Sequence, residues 1–283
     1  WSTQPGVPPV GRFRYHDGRP PVPPPRTAMT DRDALLAAII ARPEDDLPRL
    51  VFADWLEEHG ESARATFIRA QIAGDDAAAA DFLREHKADW DRELPEWATW
   101  QDTKVVYRRG FVAELVTTTR RLLRDGHELF AVAPVHAVRL RPQVHFSDST
   151  PELFEDRPYY SRITSLRLGP RLLNIAPLRG ANRDPLDIYF LAVAQNLNAL
   201  RVLDVSENNL TDDWATRFAH RFRLMAFRRA LAEMDLSDNE ITDTGADVLC
   251  LVLQGVRLRL RGNRITSAAA ERLRRRFGER VEV

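Results

Sequence analysis

Three stretches decide the fold: LRVLDVSENNLTD at 200–212, LAEMDLSDNEITD at 231–243 and VRLRLRGNRITS at 256–267. They share one frame. In it Leu203, Met234 and Leu258 are followed two residues later by Val205, Leu236 and Leu260, then by Asn208, Asn239 and Asn263, then by Leu210, Ile241 and Ile265. Apolar residues at period two place one face of a short strand in a core. The Asn then turns inward where the backbone leaves the strand, and its amide can bond exposed peptide groups of adjacent turns, replacing ladder bonds that a sharp bend forfeits. Thr211, Thr242 and Thr266 or Ser267 suit the caps of helices containing Trp214 and Phe218, Val248 and Leu251, and Leu273 and Phe277. Cys250, between Leu249 and Leu251 on such a helix, reads as a buried structural thiol.

LxLxxNxI followed by T-D resembles the leucine-rich repeat, specifically the ribonuclease-inhibitor-like kind with a helix in each turn. The resemblance implies an α/β fold: a helical N-terminal module, then a short, irregular leucine-rich-repeat solenoid with parallel strands inside and helices outside. Successive Asn residues stand 31 and 24 positions apart, so the units are irregular. Weaker copies without the Asn occur at Ile163 to Leu168 and Val135 to Leu140, and the 37-residue gap between Leu166 and Leu203 predicts an insertion in the loops or convex helices.

Upstream, Thr30 with Asp33 approximates a capping box for a helix over about 31 to 41, which Arg42-Pro43 ends. Pro48 suits the first turn of a second helix that stops at Gly60, and further helices are predicted over about 61 to 73 and 77 to 92. Trp55 and Trp90 sit at core spacing, so packing accounts for them better than ligand stacking. DALLAAIIARPEDDLPRLVFADWLEEHGESARATFIRAQIA, followed by YRRGFVAELV and HELFAVAPVHAVRLR, is similar to the repeat-companion domain found beside leucine-rich repeats in planctomycete bacteria. That likeness covers about 29 to 142 and implies no established activity. The expected organisation is a disordered Pro-rich tail over 1–29, a helical companion module over 30–100, and a repeat solenoid over 101–283, degenerate to 199 and clear from 200. The tail holds eight Pro before residue 29 and too few aliphatic residues to offset the entropy of ordering. Its PPVPPP suits a linker better than a polyproline ligand, and Met29 is a candidate initiator.

Composition excludes several classes. No uncharged apolar run approaches the roughly 18 residues that a membrane span requires. The segment before Met29 lacks the apolar core of a secretory signal. One cysteine leaves no internal disulfide and no zinc framework, which suggests a cytoplasmic protein. Net charge is zero but segregated: residues 31–102 carry 18 acidic against 8 basic side chains, and 251–283 nine Arg against three Glu. Lys occurs only at 87 and 104, so abundant Arg reflects a GC-rich coding bias as much as guanidinium chemistry.

Asp54, Glu57 and Glu58 fall at i, i+3 and i+4, the minimum for paired carboxylates or a hard cation, with His59 following; an acidic solvated face is the better account. His127, His136 and His145 are nine apart, unlike a helical metal pair. No HExxH, GxSxG, Walker or Rossmann glycine pattern occurs, and no catalytic residue, metal site or cofactor is expected.

The frame places Asp204 and Ser206, Asp235 and Ser237, and Arg257, Arg259 and Arg261 on the concave strand face, an acidic column beside a basic one. The expected function is a non-catalytic scaffold that binds a protein or peptide there, with Asn208, Asn239 and Asn263 as a structural ladder. The alternative partner is nucleic acid, met by the Arg-rich last repeat. Missing aromatic interleaving and the polar cap that a terminal repeat needs argue against it.

Overall fold

A computed structural model describes residues 29–141, 157–170 and 195–283. The Pro-rich tail, His145 and most of the expected insertion before Leu203 lie outside the described residues.

Four helices open the chain. α1 (Asp31–Ala41) starts at a capping box, the Thr30 side chain accepting from the Asp33 N–H and the Asp33 carboxylate accepting from the Thr30 N–H. α2 (Leu47–Glu58) has Pro48 in its first turn, α3 (Ser62–Ala73) ends at a left-handed Gly74, and α4 (Asp76–Trp90) is capped by Asp75. Ile39, Phe52, Leu56, Ala65 and Ile68 bury their side chains together with Phe111 of the following hairpin.

That hairpin is β1 (Lys104–Arg108) and β2 (Phe111–Thr118), antiparallel around Arg109-Gly110 at φ 50° and 85°. Left-handed values at both turn residues match the twist of the flanking strands. Helix and hairpin are clamped together by backbone contacts. Gln71 accepts from the Gly110 N–H at 2.7 Å and donates to the Tyr107 carbonyl at 3.3 Å, and Arg109 donates to the Glu44 carbonyl at 2.6 Å. A Cβ on Gly110 would lie 2.3 Å from Cγ1 of Ile68.

From β2 onward every neighbour is parallel: β3 (Ala137–Arg141), β4 (Ser165–Leu168), β5 (Val202–Asp204), β6 (Glu233–Asp235), β7 (Arg257–Arg259) and β8 (Val281–Glu282) follow in chain order. The antiparallel first pair departs from the all-parallel arrangement expected, because a two-residue turn permits only an antiparallel neighbour. α5 (Thr119–Val132), α6 (Asp212–Phe222), α7 (Asp243–Val252) and α8 (Ser267–Phe277) pack against one side of the sheet, so the described residues hold eight helices and one mixed sheet. Arg162 fastens the chain before β4 to the end of α5, donating to the carbonyls of Phe130 and Ala133. Burial holds its guanidinium down at about 10.

The last strands are only two or three residues long, and side chains complete what they leave unpaired. Asn239 accepts from the N–H groups of Asn208 at 3.0 Å and Leu210 at 2.9 Å in the preceding turn, and donates to the carbonyls of Val205 at 3.1 Å and Leu236 at 2.9 Å. Asn208 reaches back to the Leu168 carbonyl at 3.1 Å, and Asn263 serves Ile241 N–H at 3.0 Å and the Leu236 carbonyl at 2.8 Å. Asn208 and Asn239 are buried, whereas Asn263 is only partly buried. The residue before each Asn is left-handed: Glu207 at φ 59°, Asp238 at 56° and Gly262 at 69°. This kink turns the Asn inward, and only the last turn meets it with the residue that adopts it without strain.

A second clamp runs along the helix starts. Asp212 accepts from the Thr242 N–H at 2.8 Å, from its hydroxyl, and from the Gly245 N–H at 3.1 Å; Asp243 accepts from the Thr266 N–H at 2.7 Å and hydroxyl at 2.8 Å. The last repeat has Ser267 where the others have Asp.

Asn239→Leu strands the N–H groups of Asn208 and Leu210 and costs about 1–3 kcal/mol for each in urea unfolding; Asn263→Leu costs less, having one such donor. Equal costs at the two sites contradict the ladder. Gly110→Ala destabilises by about 2–3 kcal/mol, from left-handed strain plus the Ile68 overlap, whereas Gly60→Ala, also left-handed but in open space, costs about 1 kcal/mol. The Thr266 backbone and hydroxyl donors hold the Asp243 carboxyl below its ordinary 3.8. Its contribution is therefore full above that value and lost as pH falls through the depressed one, so the deficit of Asp243→Ala at neutral pH closes in acid. A deficit independent of pH counts against the clamp.

Candidate interaction face of the sheet

With the helices on one side, the strand residues that alternate with the core form the open face. Register aligns Arg139, Arg167, Asp204, Asp235, Arg259 and Glu282 in one row across six strands. A parallel row follows from Glu114 through Ala137, Ser165, Val202 and Glu233 to Arg257. Strands spaced at about 4.8 Å bring row neighbours within ion-pair reach.

The charges bind each other. Arg167 Nε lies 3.1 Å from Asp204 and its Nη2 3.4 Å from Glu207. Arg259 meets three carboxylates, Glu233 at 2.9 Å, Asp235 at 3.5 Å and Glu282 at 3.6 Å, and Arg261 also pairs with Glu282. Arg139 stands 3.8 Å from Glu114. Single exposed pairs contribute little, but a shared network fixes where each sign stands on the face. The Arg257 side chain is exposed and has no ion-pair or hydrogen-bond partner among the described residues, its backbone N–H donating to the Ala232 carbonyl at 2.8 Å.

One expectation needs correction. Ser206 does not project from this face: β5 ends at Asp204, and Ser206 is buried, its hydroxyl donating to Asp204 Oδ1 at 2.7 Å. Ser237 is half-buried at the matching place. Nor are the two aspartates free surface acids. Asp204 accepts from the Ser206 N–H at 3.0 Å and Asp235 from the Ser237 N–H at 2.9 Å, so each carboxylate also holds the turn that follows its strand. Reversing either charge therefore disturbs the fold as well as the face.

Glu233 joins the face at the place in the second clear copy that Arg257 holds in the third, and Arg139, Arg167 and Glu282 join it although the three clear copies alone do not point to them. The signal lies in the weaker copies: Leu166-Arg167-Leu168 and Val138-Arg139-Leu140 repeat the frame of Leu203-Asp204-Val205, and Val281-Glu282-Val283 repeats it once more at the end.

The other candidate sites resolve into packing. Asp54 and Glu57 both hold Arg69, at 2.7 and 2.8 Å, and His59 stacks on Trp55 with centroids 3.9 Å apart. His127 is exposed on α5, while His136 has its Nδ1 3.2 Å from the Pro134 carbonyl. Among the described residues no group of three His, Cys, Asp or Glu could hold a metal ion. Cys250 is buried, and burial, with the Asp247 charge second, pushes its thiol up to about 11, far from a reactive thiolate. Several arginines of the last repeat are engaged internally: Arg264 with Glu240, Arg272 with Asp247, Arg275 with Glu271, and Arg274 with the Val283 carbonyl.

The family model described as Leucine Rich repeat matches residues 196–213 and 231–250. These stretches contain β5 and β6, two ladder Asn residues and the starts of α6 and α7. The chain therefore carries leucine-rich repeats. No curated protein matches it. No helix among the described residues is long and apolar enough to cross a membrane.

Proposed function

We propose that the chain is a non-catalytic protein-interaction scaffold, a ribonuclease-inhibitor-like repeat solenoid over 101–283 preceded by a companion-domain module over 30–100, working in the cytoplasm. Its partner is a protein or peptide received on the open, concave face of the sheet. Leucine-rich repeats commonly mediate such contacts. The observation that carries the reading is the charge row: two arginines, two aspartates, an arginine and a glutamate stand at fixed strand spacing. A surface of alternating sign selects a partner whose side chains follow the opposite order, and electrostatics then supplies register and association rate. A phosphate backbone would meet Asp204 and Asp235 in the middle of the row, which weakens the nucleic-acid alternative.

The test leaves the structural aspartates alone. Arg257→Glu combined with Arg139→Glu changes exposed charges, so the melting temperature stays near wild type while affinity for a partner captured from the cognate lysate falls at least about tenfold. Capture that disappears after nuclease treatment, or a partner indifferent to both reversals, refutes the proposal.

A further inference from the structure

A cavity of about 410 Å3 lies away from the open face, where the four N-terminal helices meet the β1–β2 hairpin and the end of α5. This volume is within the usual range for a small-molecule site. Phe52, Trp90, Tyr107 and Phe111 give it aromatic walls beside aliphatic ones, and Arg64 lines it among them. The Arg64 guanidinium carbon stands 4.4 Å from the Trp90 ring centroid, 5.4 Å from Tyr107 and 5.6 Å from Phe111.

Arg64 differs from its neighbours in what it lacks. Arg32 pairs with Glu61 at 2.8 Å and Glu93 at 2.9 Å, and Arg69 holds Asp54 and Glu57. Among the described residues Arg64 has no carboxylate in ion-pair contact, and its buried Nη1 makes no hydrogen bond. The π faces around it return only part of what it costs to take a cation out of water. Burial accordingly pulls its guanidinium below the ordinary value. The cavity thus sets among aromatic rings a guanidinium with no carboxylate in ion-pair contact, on which Glu93 acts only from further off. Glu93, also in its wall, neutralises Arg32 and repels a second negative charge.

We propose that this cavity binds a small aromatic monocarboxylate, its carboxylate against Arg64 and its ring between the aromatic walls. The site is independent of the partner reading, because none of its lining residues lies on the open face.

The experiment titrates the full chain with indole-3-acetate and its neutral isostere indole-3-acetamide, following heat and Trp fluorescence. Saturable binding of the acid, at least about tenfold tighter than the amide, is expected. Two variants separate the contributions. Arg64→Met removes the charge, and Val132→Trp fills the rim from α5 at a residue 38% exposed, without touching Arg64; each should weaken the acid at least about tenfold. Should Arg64→Met not fold, Val132→Trp and the acid–amide pair decide. No saturable binding up to about 10 mM, equal affinities for acid and amide, or unchanged affinity in either folded variant overturns the proposal.

Discussion

A parallel strand of three residues leaves peptide groups unpaired as soon as the chain turns away, and an inward Asn side chain is what makes such short strands tenable here. The amide carries both an acceptor and two donors, so one residue serves an N–H and a carbonyl of the turn before it and a carbonyl of its own. Around Asn239 this accounts for Asn208 N–H, Leu210 N–H and the carbonyls of Val205 and Leu236. Backbone bonds resume on either side, from Glu207 N–H to the Ser237 carbonyl and from Glu240 N–H to that of Leu210. Thr242 then closes onto Asp212. The left-handed kinks at Glu207 and Asp238 are a strain accepted so that the Asn can face inward.

Register fixed in this way determines what the open face presents. With Leu203, Met234 and Leu258 held against the helices, Asp204, Asp235 and Arg259 have nowhere else to point. Their order along the row, and the pairs that Arg167 and Arg259 make with it, follow from strand succession rather than from any local preference. The same aspartates hold the turns after their strands, so the face and the fold share residues. The aromatic cavity is built differently, from helices clamped on a two-residue hairpin, and the two features stand on opposite sorts of architecture.

Much of this is legible in the residues. The period-two apolar pairs, the Asn that ends each frame and the capping Thr residues give strand, bend and helix start, because each position has one physical job. The extension of period two beyond Asp204 misplaces Ser206, since the strand stops there and the chain bends. The Asp of each T-D pair looks like ordinary first-turn chemistry; only its absence in the last repeat, Thr266-Ser267, signals a clamp to the next turn. β1 is visible as Val105 and Tyr107 before Arg109-Gly110, a turn signal that the quoted YRRGF contains but that alternation alone undersells. Arg64 cannot be found by spacing, since its surroundings come from α3, α4 and the hairpin together.

Amide hydrogen exchange tests the central claim most directly. The N–H groups of Asn208, Leu210 and Ile241 donate to side chains rather than to a strand, so a sequence-local view makes them exchange like loop amides. If the Asn residues bind the turns into one cooperative sheet, these three exchange only through the opening that also releases Val205 and Leu236, whose N–H groups donate to the Asp235 and Arg259 carbonyls of the next strand. Exchange of the three at loop rates while Val205 and Leu236 stay protected would contradict it.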